Sequence, residues 1–194
     1  VPVVNKGEMM QDYKDILAEV LIDEPTLQKR VKELADDINR DYQGEKILLI
    51  CILRGALPFM VDLMRHLTVL NSIDCMAISS YGEGARESSG NVRMTLDLKT
   101  NIESRHVILV EDIVDSGHTI AHVLQILRTR NPKSLKVCAL LDKKSRREVS
   151  VPIDYCGFVI ANKFVFGYGL DLDEFYRNLP FVGVVDLNRY NANG

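Results

Sequence analysis

Apolar positions recur in two different ways along this chain. Leu27, Val31, Leu34, Ala35 and Ile38 fall three or four residues apart. That spacing lays one apolar stripe along a helix. Glu24-Pro25-Thr26 opens this helix, with Pro25 suited to its first turn, and it should stop before Gly44. By contrast, "KILLICIL" (46–53) is apolar without alternation, which suits a parallel strand buried on both faces. "HVILVED" (106–112) and "SLKVCALLD" (134–142) also read as strands, and a short strand is expected around Ala18 to Ile22. Helical patterns cover 54–67 and 119–130. "DCMAISSYG" (74–82) reads as a strand, and "VRMTLDL" (92–98) alternates and is expected to return as its hairpin partner. Between them, 82–91 is polar with glycines at 82, 84 and 90, a loop. The tail holds two shorter strands, "YCGFVIA" (155–161) and "FVGVVDL" (181–187).

Strands alternating with helices predict an α/β fold, a mostly parallel sheet flanked by helices. Such sheets bind ligands beyond the carboxyl ends of their strands. That rule marks three places: after Leu53, at Glu111 to Thr119, and after Leu141.

A length of 194 residues suits one domain with room for a small subdomain. With 46% hydrophobic and 26% charged residues, the chain can bury a core. A net charge of -3 argues against a general nucleic-acid binder, which carries a basic excess. The four cysteines show no CxxC spacing. They read as buried small hydrophobes in a reducing cytosol, not as a zinc site. No apolar run is long enough to span a membrane, and the first ten residues lack signal-peptide shape. The expected location is the cytoplasm.

The most specific stretch is "VILVEDIVDSGHTI" (107–120). A buried strand ends in Glu111 and Asp112, then Asp115 to Thr119 open a helix. Free N–H groups and the positive end of the helix dipole favour an anion such as phosphate there. Gly117 lets the backbone come close, and Ser116 and Thr119 add hydroxyl donors. Glu111 and Asp112 would repel a phosphate, so sugar hydroxyls or a divalent cation are their natural partners. Together these describe a phosphorylated sugar. The plainer alternatives are a helix capped by Asp115 beside solvated acids, or a receiver domain. A receiver's acidic strand ends come early in the domain and lack the Asp-Ser-Gly-x-Thr turn.

This stretch resembles the phosphoribosyl pyrophosphate (PRPP) motif of type I phosphoribosyltransferases. Three others are similar to the hypoxanthine-guanine branch of that family: "ILRGA" (52–56), "SSYG" (79–82) and "NKFVFGYGLDLDEFYRNLP" (162–180), the last preceded by "LLDKKSRR" (140–147). The resemblance implies a core over roughly 24–150 and a hood from roughly 1–23 and 151–194. It implies transfer of phosphoribose from PRPP to hypoxanthine or guanine, giving IMP or GMP and pyrophosphate with Mg2+. Glu111 and Asp112 would hold the ribose, and Asp115, Ser116, Gly117, His118 and Thr119 would form the phosphate turn. His118 fills a variable position and is expected mainly as a spectator. Leu53, Arg54 and Gly55 would form the pyrophosphate loop, with a cis peptide before Arg54, and Arg177 would bind pyrophosphate too. Ser80 and Tyr81 would anchor a lid. The metal would touch Glu111, Asp112 and Asp171.

A purine needs a flat apolar face and polar groups at its edge. The resemblance assigns stacking to Phe164, backbone contact to Val165 and nearby placement to Asp171. Lys143 would donate to the 6-oxygen; it disfavours adenine, whose 6-amine would face it donor to donor. Asp115 would take or hold the proton at purine N7. Lys144, Arg146, Arg147, Asp173 and Glu174 read as surface or subunit-contact residues. Relatives are dimers or tetramers, so a homo-oligomer is expected, with no membrane and no nucleic-acid partner. Two competing readings remain: a PRPP-sensing nucleic-acid regulator, and a xanthine- or adenine-using transferase.

Overall fold

The computed structural model describes residues 12–80 and 92–191. In chain order the elements are α1 (Tyr13–Ile16), β1 (Leu17–Ile22), α2 (Glu24–Asp41), β2 (Lys46–Leu53), α3 (Leu57–His66), β3 (Leu70–Ser80) and β4 (Val92–Leu96). They continue with β5 (His106–Val114), α4 (His118–Arg128), β6 (Ser134–Asp142), β7 (Tyr155–Val159), β8 (Val165–Phe166), β9 (Val182–Val185) and α5 (Leu187–Asn191).

Local chemistry explains where α2 starts. The Asp23 carboxylate accepts from the Thr26 N–H at 3.0 Å, an N-cap, and Pro25 occupies the first turn. All five stripe residues of α2 are buried.

Six strands form one sheet in the order β4-β3-β2-β5-β6-β7. β2 pairs in parallel with both β3 and β5, so it has no open edge and no open face. Its Ile47, Leu49 and Cys51 pack into the core shared with α2 and α3, while Leu48, Ile50 and Ile52 join the core under α4. That division is why the run lacks alternation. β4 returns antiparallel to β3, the expected hairpin partner. β3 starts four residues before the expected 74. Its first residues, Leu70 to Ser72, are exposed and polar-rich; they pair with β2, and Arg105 Nη2 donates to the Ser72 hydroxyl at 2.7 Å.

A second sheet, β1-β9-β8, gathers both chain ends. It has its own small core of Ile16, Phe166, Leu172, Leu179 and Val185. Tyr168 ties it to the main body by donating to Asp62 on α3 at 2.6 Å. The hood boundary expected at 151 does not coincide with this change of sheet. β7, at 155–159, pairs in parallel with β6 and extends the large sheet. The apolar run 155–161 signals a strand but not which sheet it joins.

Among the described residues no helix is long and apolar enough to cross a membrane. The four cysteines are free thiols, Cys51 and Cys138 buried and the other two half-buried.

Candidate active site

The three strand ends meet at one edge of the large sheet. The central feature is the turn from β5 into α4. Gly117 caps α4 with φ 93°, and the helix has no side-chain cap. The N–H groups of its first turn are therefore left for a ligand. A Cβ on Gly117 would also lie 2.5 Å from the Val149 carbonyl, so the turn accepts only glycine on two counts.

What holds the turn is the segment after β6. The Glu148 and Val149 N–H groups both donate to the Ser116 carbonyl, at 2.9 and 3.0 Å. Arg147 Nη1 donates to the Asp115 carbonyl at 3.0 Å, and Arg147 Nη2 is bonded to the buried Asp142 carboxylate. Two carbonyls of the turn are thus held by the brace at 147–149. Arg147, expected on the surface, has a side chain only 17% exposed. It is wedged under Gly117.

A cavity of about 470 Å³ opens beside this turn, lined by Glu111, Asp115, Ser116, Gly117, Thr119 and Arg146 among others. Asp115 is gripped on both carboxylate oxygens. Lys143 Nζ donates to one at 3.2 Å and Arg146 Nε to the other at 3.2 Å. Lys143 is buried and its N–H is anchored on the Val114 carbonyl at 3.0 Å. Arg146 is exposed, as expected of a surface residue, and it also forms part of the cavity wall. His118 turns to Glu148, Nε2 to carboxylate at 2.9 Å.

The adjacent acids diverge. Glu111 lines the cavity and is buried, and among the described residues its Oε2 has no hydrogen-bond partner. Burial, and then the neighbouring Asp112, push its carboxyl well above the usual carboxylate range. Asp112 lies against the turn after β2: a Cβ on Gly55 would sit 1.7 Å from its Oδ2. Only a glycine lets that loop and this acid coexist. Burial raises the Asp112 pKa to about 6, while its bond from the Ile113 N–H and the charge of Arg177 pull the other way.

The Gly55 loop begins with a cis peptide at Leu53–Arg54, as expected. Arg54 forms a 2.6 Å ion pair with Glu174, and both side chains are exposed, as expected for Glu174. Arg177 bridges Asp171 at 2.7 Å and the Gly169 carbonyl at 2.8 Å. Gly169 in turn packs on the Gly55 carbonyl. Asp171, Arg177 and the Gly55 loop therefore form one continuous wall. Phe164 precedes β8 and keeps 46% of its surface exposed, while Val165 is buried. Ser80 ends β3; Tyr81 and the rest of the expected lid lie outside the described residues. Among the described residues no three His, Cys, Asp or Glu side chains gather into a metal cage.

A doubly covered, mostly parallel sheet, with an amide-lined turn and acids at its carboxyl edge, defines a binder of phosphorylated sugars or nucleotides. The phosphoribosyl transferase domain family matches residues 19–173, and the chain belongs to that family. It is 44% identical to the hypoxanthine-guanine phosphoribosyltransferase of Bacillus subtilis over 89% of this chain and 95% of the relative. It is 42% identical to the bifunctional TilS/HprT protein of Listeria innocua over 96% of this chain, but spans only 28% of that longer relative. A crystal structure of a Staphylococcus aureus hypoxanthine phosphoribosyltransferase superposes with TM-score 0.88 at 39% identity, covering 94% of this chain and 99% of the other.

Proposed function

We propose that the protein transfers the 5-phosphoribosyl group of PRPP to hypoxanthine or guanine, forming IMP or GMP and pyrophosphate. The observation that carries this reading is Asp115, held by Lys143 and Arg146 at the mouth of an amide turn beside the Glu111 cavity. The names of the relatives support the choice of base.

In this reading purine N9 bonds to C1 of the ribose as the bond from C1 to pyrophosphate breaks. Asp115 takes the N7 proton or holds it by a hydrogen bond. Lys143 donates to the 6-oxygen, Phe164 stacks on the ring and Val165 meets its edge through the backbone. Ser116, Gly117 and Thr119 bind the 5-phosphate. His118, already engaged with Glu148, stays peripheral. Glu111 and Asp112 orient the ribose, a positioning contribution. Arg54, Gly55 and Arg177 receive the departing pyrophosphate, where a guanidinium suits a polyanion.

Mg2+ is the cofactor the family generally uses. The unpartnered Glu111 oxygen suits a hard cation. Asp112 and Asp171 already accept hydrogen bonds, so the residues fit an ion that takes most of its ligands from substrate oxygens. Bound with pyrophosphate, such an ion would offset charge growing on the leaving group.

The test is nucleotide formation from PRPP and each of hypoxanthine, guanine, xanthine and adenine, with and without Mg2+. The 6-oxopurines should react and adenine should not. In Lys143→Ala, kcat/KM for hypoxanthine and guanine should fall by about one to two decades, and the relative disadvantage of adenine should shrink. No nucleotide from any 6-oxopurine, or adenine as the best base, would overturn the reading.

A further inference from the structure

Three cations surround the Asp115 turn, and their nitrogens are not equally committed. Lys143 is buried and spends its ammonium on Asp115. Arg147 has both Nη groups bonded, to the Asp115 carbonyl and to Asp142. Arg146 is different. Only its Nε is used, on Asp115 at 3.2 Å. Among the described residues its Nη1 and Nη2 have no partner, and its side chain, 44% exposed, lines the cavity.

Charge sharpens the point. The cavity wall carries three acids, Glu111, Asp115 and Glu148, and Arg146 is the only basic side chain in it among the described residues. The helix terminus supplies the equivalent of about half a positive charge. That is a poor match for a phosphate dianion placed near Asp115 and Glu148. Glu148 is occupied by His118. The guanidinium with two free donor groups is the remaining source of positive charge.

We propose that Arg146 binds the 5-phosphate of the sugar through its Nη groups while its Nε stays on Asp115. One planar fork then spans the phosphate subsite and the acid. Occupying the phosphate turn would fix the orientation of Asp115, so Arg146 couples sugar binding to proton handling. Lysine is a point charge and cannot reproduce this bridge. The inference rests on the phosphoribosyl reading of the turn.

The experiment compares wild type, Arg146→Gln and Arg146→Lys. Calorimetric binding of ribose 5-phosphate is measured with ribose as the phosphate-free control, beside steady-state kinetics with PRPP and hypoxanthine. Arg146 is exposed in a short turn, so the variants should fold, which thermal melts check. Arg146→Gln should weaken ribose 5-phosphate by about tenfold to a hundredfold and raise KM for PRPP by a similar factor. KM for hypoxanthine should move by less than about threefold. Arg146→Lys should recover part of the affinity. If Arg146→Gln binds ribose 5-phosphate as tightly as wild type, the inference is overturned, and a fall in kcat alone would make Arg146 a positioning residue for Asp115. That outcome leaves the transferase reading standing wherever wild type turns over. Absent wild-type turnover with Arg146-dependent phosphate binding does the reverse. No wild-type binding of ribose 5-phosphate overturns both.

Discussion

Tyr155 and Asp115 lie toward opposite ends of the same sheet, and each is bonded to a lysine. Toward the amino ends of the strands, Tyr155 donates to Asp41 at 2.6 Å, and Lys136 reaches both, at 3.1 and 3.3 Å. The Lys136 ammonium also lies over the rings of Tyr155 and Tyr42, at 5.0 and 5.5 Å. Ser134 joins Tyr42 to His106 Nδ1. Here polar groups mostly satisfy one another; the exception is His106 Nε2, which stands 3.6 Å from Glu45. At the carboxyl edge, capacity is left over: among the described residues Glu111 Oε2 has no partner and Arg146 keeps free donors, and Phe164 shows its ring. Buried polar groups normally find partners. Each end leaves one such atom open among the described residues, but only the carboxyl edge sets it in the wall of the cavity, above a well-packed core, where a ligand can reach it.

The largest expected break in this contrast is Asp115→Asn. The amide preserves shape, and one oxygen still accepts from Lys143 or Arg146. Turnover should fall roughly 10²–10⁴-fold, with the melting temperature little changed. Wild-type rates with both hypoxanthine and guanine would remove Asp115 from the proposed chemistry.

How much of this was legible depends on whether a feature is local. The strands at 46–53, 106–114 and 134–142 announce themselves through continuous apolar runs, and the phosphate turn through consecutive residues. The cis peptide at Leu53–Arg54 was legible only through family resemblance. The brace on the turn was not legible at all. Arg147 sits in "KKSRRE", which reads as a solvated basic run. Its burial depends on Asp142 and on a carbonyl 32 residues upstream. Glu174 is exposed, as expected; only its ion pair was not legible, since its partner Arg54 is distant in sequence. β8 spans two residues, too short for any periodicity.

A smaller effect on function separates the two acids from the rest of the carboxyl edge. Burial raises the Glu111 pKa, so the folded protein binds a proton that the unfolded chain releases from about pH 4.5 upward. Stability contributed by that proton is present at low pH and lost as pH rises toward the raised value. Glutamine carries no such titration. The melting temperature of Glu111→Gln, relative to wild type, should therefore increase between pH 5 and pH 8. The variant should also bind PRPP more weakly, by less than the loss in turnover from Asp115→Asn. Parallel melting curves across that range would show that Glu111 is ionised in the folded protein, and its open oxygen would need another explanation.

The smallest effect on function should come from the saturated end. Tyr155→Phe removes only a hydroxyl. Asp41 and Lys136 keep their mutual contact at 3.3 Å, and the aromatic face under the lysine remains. What is lost is a bond that holds Asp41 below its ordinary pKa and, second to burial, raises that of Tyr155. Hydrogen bonds to charged groups contribute about 1.5–3 kcal/mol. A chain of this size should then melt roughly 3–12 °C lower. Turnover measured well below the transition should stay within about twofold of wild type, and KM for PRPP should not move. A tenfold loss of activity at a temperature where the variant is fully folded would mean that the two ends are coupled through β6 and β7. The division between a satisfied, stabilising end and an open, binding end would then fail.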